Sequence, residues 1–174
     1  ISSQVGCNMG CAFCESGKRK KVRNLTTSEM LLQIIAIEKE IDKRISHIVI
    51  MGIGEPFDNY DNLVDFIDNA NNHKGLCIGS RHITVSTCGI IPKIYEFIDL
   101  PYQVNLAISL HAPTDELRSK LMPINKVYPL EELLKAIKLY INKTNRRVTF
   151  EYILLSGIND SENDARRLAK LIKG

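Results

Sequence analysis

The stretch Cys7-Asn8-Met9-Gly10-Cys11-Ala12-Phe13-Cys14 places three thiols at the spacing C-x3-C-x2-C. Thiolates this close together select zinc, copper(I) or iron–sulfur clusters over hard cations. The other two cysteines, Cys77 and Cys88, lie about sixty or more residues further along the chain. A closed zinc site or an electron-carrier cluster takes a fourth protein ligand. Three ligands on a four-iron cluster would instead leave one iron open, which is an arrangement suited to catalysis.

Two other interpretations of the three cysteines stay open at this point. One is a ferredoxin-like cluster loop, and the other is a zinc knuckle completed by a distant histidine. The sequence offers four histidines for that role: His47, His73, His82 and His111. We favour the three-ligand cluster because the spacing C-x3-C-x2-C is specific.

The composition is that of an ordinary globular domain. The chain has 174 residues, of which 44% are hydrophobic and 25% charged, so it can bury one sizeable core. Five cysteines, three of them in one motif, fit a reducing compartment better than a disulfide framework. No apolar run approaches the roughly 20 residues that a membrane span needs, and no signal peptide is present. We therefore expect a cytoplasmic protein without membrane contact.

The charge of the chain permits an RNA partner without arguing for one. The formal net charge is +3, whereas nucleic-acid-binding proteins are usually more basic. A basic run follows the cysteines, Lys18-Arg19-Lys20-Lys21-Val22-Arg23. It is either a solvated loop or a contact for a phosphate backbone.

Strands and helices alternate along the whole chain. We predict strands at 1–5, 47–52, 82–87, 104–111 and 147–155. The predicted helices lie at 26–41, 61–71, 92–98, 116–121, 130–141 and 161–173. The clearest helix start is a capping box formed by Thr26 and Glu29. An apolar stripe follows it: Met30, Ile34, Ile37 and Ile41. About five βα units in a row imply an α/β fold with a parallel sheet, either a barrel or a doubly wound sheet.

The strand patterns favour a wide or open barrel. A parallel strand covered by helices on both faces should be apolar on both sides. The strand at 104–111 instead alternates, with Asn105, Ala107, Ser109 and His111 on its small and polar side. The strands at 82–87 and 147–155 alternate in the same way, placing Ser86 and Glu151 on that side. These sides must face a lumen wide enough for a ligand, with its site at the C-terminal strand ends.

The loops that follow the first two strands lie at those same ends. The cysteine loop follows the first strand, and Gly54-Glu55-Pro56 follows the second. Taken alone, Gly-Glu-Pro is more often a turn than a site. A carboxylate beside the cysteine loop could nevertheless accept hydrogen bonds from a ligand ammonium group.

Together, the motifs resemble a known family. Those that carry the resemblance are Gln4-Val5-Gly6-Cys7, the three-cysteine stretch, Arg23-Asn24-Leu25-Thr26, Met51-Gly52-Ile53-Gly54-Glu55-Pro56, Ser86-Thr87-Cys88-Gly89, Ser109-Leu110-His111-Ala112-Pro113 and Met122-Pro123-Ile124-Asn125. The set resembles the radical S-adenosylmethionine (SAM) methyltransferases of bacteria that methylate C2 of an adenine in 23S rRNA and in certain tRNAs. The resemblance runs over essentially the whole chain and implies a partial, open parallel β/α barrel of the radical SAM type.

The resemblance also implies cofactors and the residues that hold them. Cys7, Cys11 and Cys14 would hold a [4Fe-4S] cluster, whose open iron chelates the amino and carboxylate groups of SAM. Electron transfer from a donor such as flavodoxin would then cleave SAM to a 5′-deoxyadenosyl radical. The residues implied to contact SAM are Gly54, Glu55, Ser86, Ser109, Leu110 and His111. The implied partners are 23S rRNA and tRNA, and we expect a monomer.

The family transfers its methyl group from a cysteine near its C-terminus, and we assign no residue of this chain to that role. Cys88 is better read as a small buried hydrophobe than as a nucleophile. We expect residues 1–174 to be the radical SAM core of a longer protein, lacking an N-terminal accessory domain and the last strand with the methyl-carrying cysteine. The core alone should then host the cofactors without methylating RNA.

Three questions stay open from the sequence. The relative that methylates C8 of the same adenine is an alternative, although the text Ala-Ile-Ser-Leu-His-Ala at 107–112 favours C2. A metal-stabilised RNA-binding module is an alternative of another class. Glu151 is equally a structural ion-pair partner or a site residue.

Overall fold

The computed structural model describes residues 1–173. The strands are β1 (Gln4–Val5), β2 (Arg23–Asn24), β3 (Ile48–Ile50), β4 (Ile83–Thr87), β5 (Asn105–Ser109) and β6 (Val148–Glu151). The helices are α1 (Thr27–Ile41), α2 (Tyr60–Asn71), α3 (Ile91–Ile98), α4 (Asp115–Leu121), α5 (Leu130–Thr144) and α6 (Glu162–Ile172). Short 3-10 turns, Glu15–Lys18, Pro56–Asn59, Ser80–His82 and Pro123–Lys126, occupy the loops between them.

The main sheet contains four parallel strands in the order β3-β4-β5-β6. Neighbours in this sheet are also neighbours in sequence, and helices connect them, as short right-handed crossovers require. The predicted α/β class and open parallel arrangement are confirmed. Each of these strands begins one residue later than its predicted segment, and β3, β5 and β6 also end earlier than predicted.

The predicted first strand differs from the prediction. Gln4 and Val5 pair antiparallel with β2, a strand that the sequence analysis did not identify. Ile1 nevertheless runs beside the end of β3, where its carbonyl accepts a hydrogen bond from Gly52 N at 2.9 Å. The chain then turns at Gly6, whose φ of +78° suits glycine. A side chain there would also collide with the Lys20 carbonyl, since a Cβ would lie 2.2 Å from that oxygen.

The core lies between one face of the main sheet and the helices that cover it. Ile50, Val85, Leu106 and Ile108 project from the strands and are at most 1% exposed. Fully buried residues of the helices meet them: Met30, Leu63, Phe66, Ile94 and Leu133. The opposite face of the sheet is left uncovered by these helices, as the alternating strand patterns predicted.

The predicted start of α1 is confirmed, whereas only half of its predicted apolar stripe is buried. The α1 capping box is present, since Thr26 Oγ1 accepts from Glu29 N and the Glu29 carboxylate accepts from Thr26 N. Met30 and Ile34 are buried, but Ile37 and Ile41 are 44% and 47% exposed. The first half of the predicted apolar stripe is therefore part of the core, and the second half is exposed. Within residues 1–173, no helix combines the length and apolarity that crossing a membrane requires.

Candidate active site

A cavity of about 460 Å³ opens at the C-terminal ends of the parallel strands. Its walls combine the cysteine loop, the segment after β3 and the polar faces of β4, β5 and β6. Eight of the nine residues proposed from the sequence line it: Cys7, Cys11, Cys14, Gly54, Glu55, Ser86, Ser109 and His111. The fold thus brings together side chains that are separated by more than a hundred residues in sequence.

The cysteine loop is a series of tight turns fastened to its surroundings by backbone hydrogen bonds. Cys7 N donates to Arg19 O at 2.9 Å, Ala12 N to Leu121 O at 2.8 Å, and Cys14 N to Cys11 O at 3.1 Å. All three thiols are partly buried and unpaired by disulfides. The loop therefore holds its three cysteines at one cavity, although none of them lies in a helix or strand.

The electrostatics of the loop oppose free thiolates. Burial raises the pKa of Cys7, and burial together with the neighbouring Cys7 and Cys14 raises the pKa of Cys11 to about 12. Metal binding requires deprotonated thiols, and a bound cation supplies the opposing charge that they lack here. A multinuclear metal centre therefore fits the chemistry of the donor set.

The three cysteines need not converge on one metal position to hold a cluster. Among residues 1–173, no three or more His, Cys, Asp or Glu side chains converge on one metal position. A four-iron cluster does not require such convergence, because each thiolate binds a different iron at a separate corner. Three partly buried thiols around one cavity are thus compatible with [4Fe-4S] ligation.

Three of the four histidines considered as zinc ligands lie away from this loop. His47 and His82 precede β3 and β4, at the opposite ends of the strands, and stack on each other with ring centroids 4.4 Å apart. His73 is exposed in the loop after α2. His111 lines the cavity and packs edge-on against Phe13, with ring centroids 4.7 Å apart.

Glu55 is buried, and its carboxylate is already engaged with the protein. Oε1 accepts from Thr87 Oγ1 at 2.7 Å and Phe57 N at 3.0 Å, while Oε2 accepts from Cys88 N at 2.8 Å. Burial raises the pKa of Glu55, and these three donors act in the opposite direction. The side chain therefore fastens the segment after β3 to the end of β4, which sequence reasoning did not foresee.

Gly54 lets the same segment approach β1 closely. Its φ is +101°, and a Cβ added to it would lie 2.5 Å from the Gln4 Cβ. Gln4 Oε1 accepts from Glu55 N at 2.9 Å, which fixes the peptide between Gly54 and Glu55. The backbone of Gly54-Glu55 is thus held rigidly at the cavity wall.

Ser86, Ser109 and Glu151 form one hydrogen-bonded group on β4, β5 and β6. The Ser86 and Ser109 hydroxyls lie 2.9 Å and 3.0 Å from Glu151 Oε2 and donate to it. Ser109 is paired with Glu151 across the two strands, so the group follows from the parallel register. Of the two interpretations left open for Glu151, the structure places it on the cavity wall, with serine hydroxyls and no cation as its hydrogen-bond partners among residues 1–173.

His111 is held in a left-handed backbone conformation, with φ of +56°. Asn159 holds it there, because its side-chain amide donates to His111 O at 2.8 Å and also to Ile153 O. His111 Nδ1 accepts from Ile153 N at 3.1 Å, so a neutral imidazole carries its proton on Nε2. Burial, followed by the charge of Arg118, lowers the pKa of His111 to about 4.

Leu110, the ninth proposed residue, is fully buried and lies outside the set of residues that line the cavity. Its backbone carbonyl accepts from Arg118 Nε at 3.1 Å. The alternation along β5 accounts for this placement, because Leu110 shares the apolar face with Leu106 and Ile108.

Arg118 is a functional-site neighbour that sequence reasoning missed. It is 0% exposed, and its guanidinium donates to Cys88 O at 2.7 Å, Asn125 Oδ1 at 2.9 Å and Ser109 O at 3.1 Å, besides Leu110 O. The sequence analysis placed it in the predicted helix at 116–121 and assigned it no role. No local sequence pattern marks it, because three of its four acceptors are backbone carbonyls that only the fold brings together.

Cys88 belongs to the cavity wall but is buried, and desolvation raises the pKa of its thiol well above the ordinary value. It packs with Ala112, Leu121 and Met122 in a small apolar cluster. These surroundings suit the predicted small hydrophobe better than an activated nucleophile, which needs a lowered pKa.

The basic run is divided between protein contacts and solvent. Lys21 pairs with Asp58 at 2.7 Å and Arg23 with Glu29 at 2.7 Å, whereas Arg19 and Lys20 are exposed. Lys18 likewise pairs with Glu15 at 2.6 Å, so three of the five basic side chains contact carboxylates of this chain. The exposed Arg19 and Lys20 are the part of the run left for a phosphate backbone.

Comparison with known proteins identifies the class. The chain matches the radical SAM superfamily over residues 1–169 and therefore belongs to it. A protein called probable dual-specificity RNA methyltransferase RlmN, from Thermoanaerobacter sp. (strain X514), is 62% identical over 174 residues, which is 100% of this chain and 51% of the relative. The protein of that name from Acholeplasma laidlawii (strain PG-8A) is 61% identical, over 100% of this chain and 52% of the relative.

A solved structure agrees with this class. The crystal structure of a radical SAM methyltransferase from Sphaerobacter thermophilus superposes with a TM-score of 0.97 at 46% identity, covering 100% of this chain and 52% of that one. The resemblance drawn from the motifs is thereby confirmed. The chain spans about half the length of the relatives that it matches.

Proposed function

We propose that this chain is the cofactor-binding core of an RNA methyltransferase that acts on an adenine of 23S rRNA and tRNA, at C2. The observation that carries the proposal is the cavity in which three cysteines, two serines and a histidine from distant parts of the chain meet. The relatives named as dual-specificity RNA methyltransferases support RNA as the substrate class. We place the reaction in the cytoplasm.

In this proposal Cys7, Cys11 and Cys14 hold a [4Fe-4S] cluster, and the remaining cavity holds SAM. When bound, these two groups supply the radical chemistry of the superfamily, with an electron from a donor such as flavodoxin. The chain's own residues bind, orient and shield them. We assign no methyl-carrying cysteine among the residues of this chain.

Each proposed contact uses a donor or acceptor atom that is not already hydrogen-bonded within the protein. The Glu55 carboxylate accepts three hydrogen bonds from the protein, so Gly54 and Glu55 would meet SAM through their backbone. Neutral His111 would offer its Nε2–H to the cavity, because Nδ1 is occupied. Ser86 and Ser109 would offer hydroxyl oxygens. Leu110 would contribute only by setting the position of its two neighbours.

The test starts from anaerobic purification of the full-length protein. A broad absorption band near 400 nm that dithionite bleaches is expected for the cluster, together with 5′-deoxyadenosine formation when SAM and a reductant are added. Mass spectrometry of 23S rRNA and tRNA should then find 2-methyladenine. A colourless zinc protein that binds RNA would contradict the proposal, and 8-methyladenine would reassign the position on the base.

A further inference from the structure

Arg118 places a permanent positive charge in the interior of the protein. Its side chain is 0% exposed, and within residues 1–173 no carboxylate oxygen lies within the 4.0 Å of an ion pair with its guanidinium. All four acceptors that it contacts are uncharged: the carbonyls of Cys88, Ser109 and Leu110 and the side-chain oxygen of Asn125. A buried charge is costly to desolvate, so its effect on its surroundings matters as much as its hydrogen bonds.

Two sets of contacts place this charge next to the cysteine loop. Arg118 donates to Cys88 O, and Cys88 belongs to the apolar cluster that packs against Cys11. One turn after Arg118, the Leu121 carbonyl accepts from Ala12 N at 2.8 Å, in the middle of the C-x3-C-x2-C loop. Helix α4 thus carries the charge and also holds the loop that presents the cysteines.

Two carboxylates are connected to Arg118 through intermediate polar groups. Asn125 accepts from Arg118 and donates to Asp115 Oδ1. The Cys88 peptide accepts from Arg118 through its carbonyl and donates to Glu55 Oε2 through its N–H. Both carboxylates are thus separated from the guanidinium by a polar group, and neither neutralises it by direct contact.

A positive charge at this place favours an additional electron on a neighbouring iron–sulfur cluster. In the proposed function, three thiolates hold a [4Fe-4S] cluster, which carries one negative charge overall when it is oxidised. The electron supplied by a reductant adds a second negative charge, without proton transfer or bond cleavage, and a nearby cation stabilises that more negative state. The field of Arg118 does reach the cavity, because its charge, after burial, lowers the pKa of His111.

We propose that Arg118 tunes electron transfer at this site: its buried charge raises the reduction potential of the cluster held by Cys7, Cys11 and Cys14. The inference rests on the proposed function, since it assigns a further residue a role toward the same cluster. It is distinct from the hydrogen bonds that Arg118 makes. Any donor could satisfy the carbonyl acceptors, whereas the potential depends on the charge.

The test measures the potential of the cluster in variants that separate charge from hydrogen bonding. Full-length protein with its cluster, without SAM, is titrated anaerobically with dithionite while electron paramagnetic resonance follows the reduced state. Arg118→Met should make reduction about tenfold less favourable, which lowers the potential of a one-electron couple by about 59 mV. Tenfold is the order of magnitude for a unit charge roughly 10 Å away at an effective permittivity of about 20. Arg118→Lys keeps the charge with fewer donors, so its reduction equilibrium should stay within about threefold of the wild type.

Two further variants complete the comparison. Lys120→Met removes a positive charge from the same helix, but this side chain is exposed and pairs with Glu116, so the potential should equal that of the wild type. Arg118→Gln is neutral and retains two donor hydrogens, so it should lower the potential as Arg118→Met does. Circular dichroism and iron analysis should establish that each variant is folded and holds its cluster.

The outcomes separate the tuning from the proposed function. A wild-type protein that holds no cluster contradicts the proposed function, and the role of Arg118 falls with it. A wild-type cluster whose reduction equilibrium changes less than twofold in Arg118→Met, or falls equally in Arg118→Lys, overturns the tuning alone. If neither neutral variant binds iron, Arg118→Lys decides: iron retained by the lysine variant supports a requirement for the charge. Iron lost in all three variants overturns the proposal and leaves Arg118 a structural residue.

Discussion

The buried guanidinium of Arg118 allows a quantitative test of how the cavity is held together. In Arg118→Met, four acceptors would lose their donor: the carbonyls of Cys88, Ser109 and Leu110 and the side-chain oxygen of Asn125. At about 1 kcal/mol for each unsatisfied acceptor, the low end of the usual range, the loss is about 4 kcal/mol. Removing a buried charge offsets part of this cost, so we expect the free energy of unfolding to fall by about 2–4 kcal/mol.

The assay is urea unfolding of the full-length apoprotein, followed by circular dichroism. Arg118→Lys should be intermediate, because one ammonium group cannot reproduce the planar array of guanidinium donors. Arg166→Met is the matched control, since Arg166 is exposed and pairs with Glu162 on the surface; its effect should stay below about 0.5 kcal/mol. An Arg118→Met protein within about 0.5 kcal/mol of the wild type would refute the reasoning that this side chain fastens the strand ends.

Three further predictions concern the site. Cys11→Ala should abolish iron binding and SAM cleavage, whereas Cys77→Ala, at an exposed position, should leave both unchanged, and equal losses in iron content would rule out the three-ligand site. Glu55→Gln replaces one acceptor oxygen with a donor in a set of three protein donors, so the free energy of unfolding should fall by about 1–3 kcal/mol; a urea midpoint equal to that of the wild type would contradict the role of this carboxylate in fastening the segment after β3 to β4. The native pKa of His111, about 4, lies below the unfolded value of 6.5. The stability that neutral His111 contributes is therefore complete above pH 6.5 and is lost as the pH falls towards 4. Over this range the free energy of unfolding in urea should fall more steeply for the wild type than for His111→Asn, and identical slopes would contradict this prediction.

The cavity wall was predictable from the sequence because strand geometry leaves little freedom. Side chains alternate between the two faces of a strand, so the polar side of each strand had to face away from the helices. This rule placed Ser86, Ser109 and Glu151 on a common surface, and the parallel register brings them within hydrogen-bond distance. Leu110 obeys the same rule, which places its side chain in the core and not on the cavity wall.

The pairing of the first strand and the hydrogen bonds at the site could not be predicted from the sequence. The pairing of Gln4–Val5 with Arg23–Asn24 depends on a turn at Gly6 and on contacts with the basic run. A strand of two residues is too short to show a periodic pattern, so neither the turn nor these contacts can be predicted from the sequence. Likewise, a charged residue is expected to be exposed unless a partner is visible. Most partners of Glu55 and Arg118 are backbone groups, which every residue has, and the others are the uncharged side chains of Thr87 and Asn125. Tertiary structure alone reveals which of them are close.

These hydrogen bonds suggest why a wide cavity can be rigid without being filled. The peptide groups flanking Cys88, at the end of β4, are held from two directions: its N–H donates to the Glu55 carboxylate, and its carbonyl accepts from Arg118. Arg118 also holds the end of β5 through Ser109 O, and Glu151 connects β4, β5 and β6 through the two serines. Each charged side chain therefore joins neighbouring strand ends at the point where apolar packing stops. Charge-assisted hydrogen bonds are the interactions that can do this without occupying the lumen. A cavity of this size would otherwise have to be closed by side chains, which would leave no room for a cofactor.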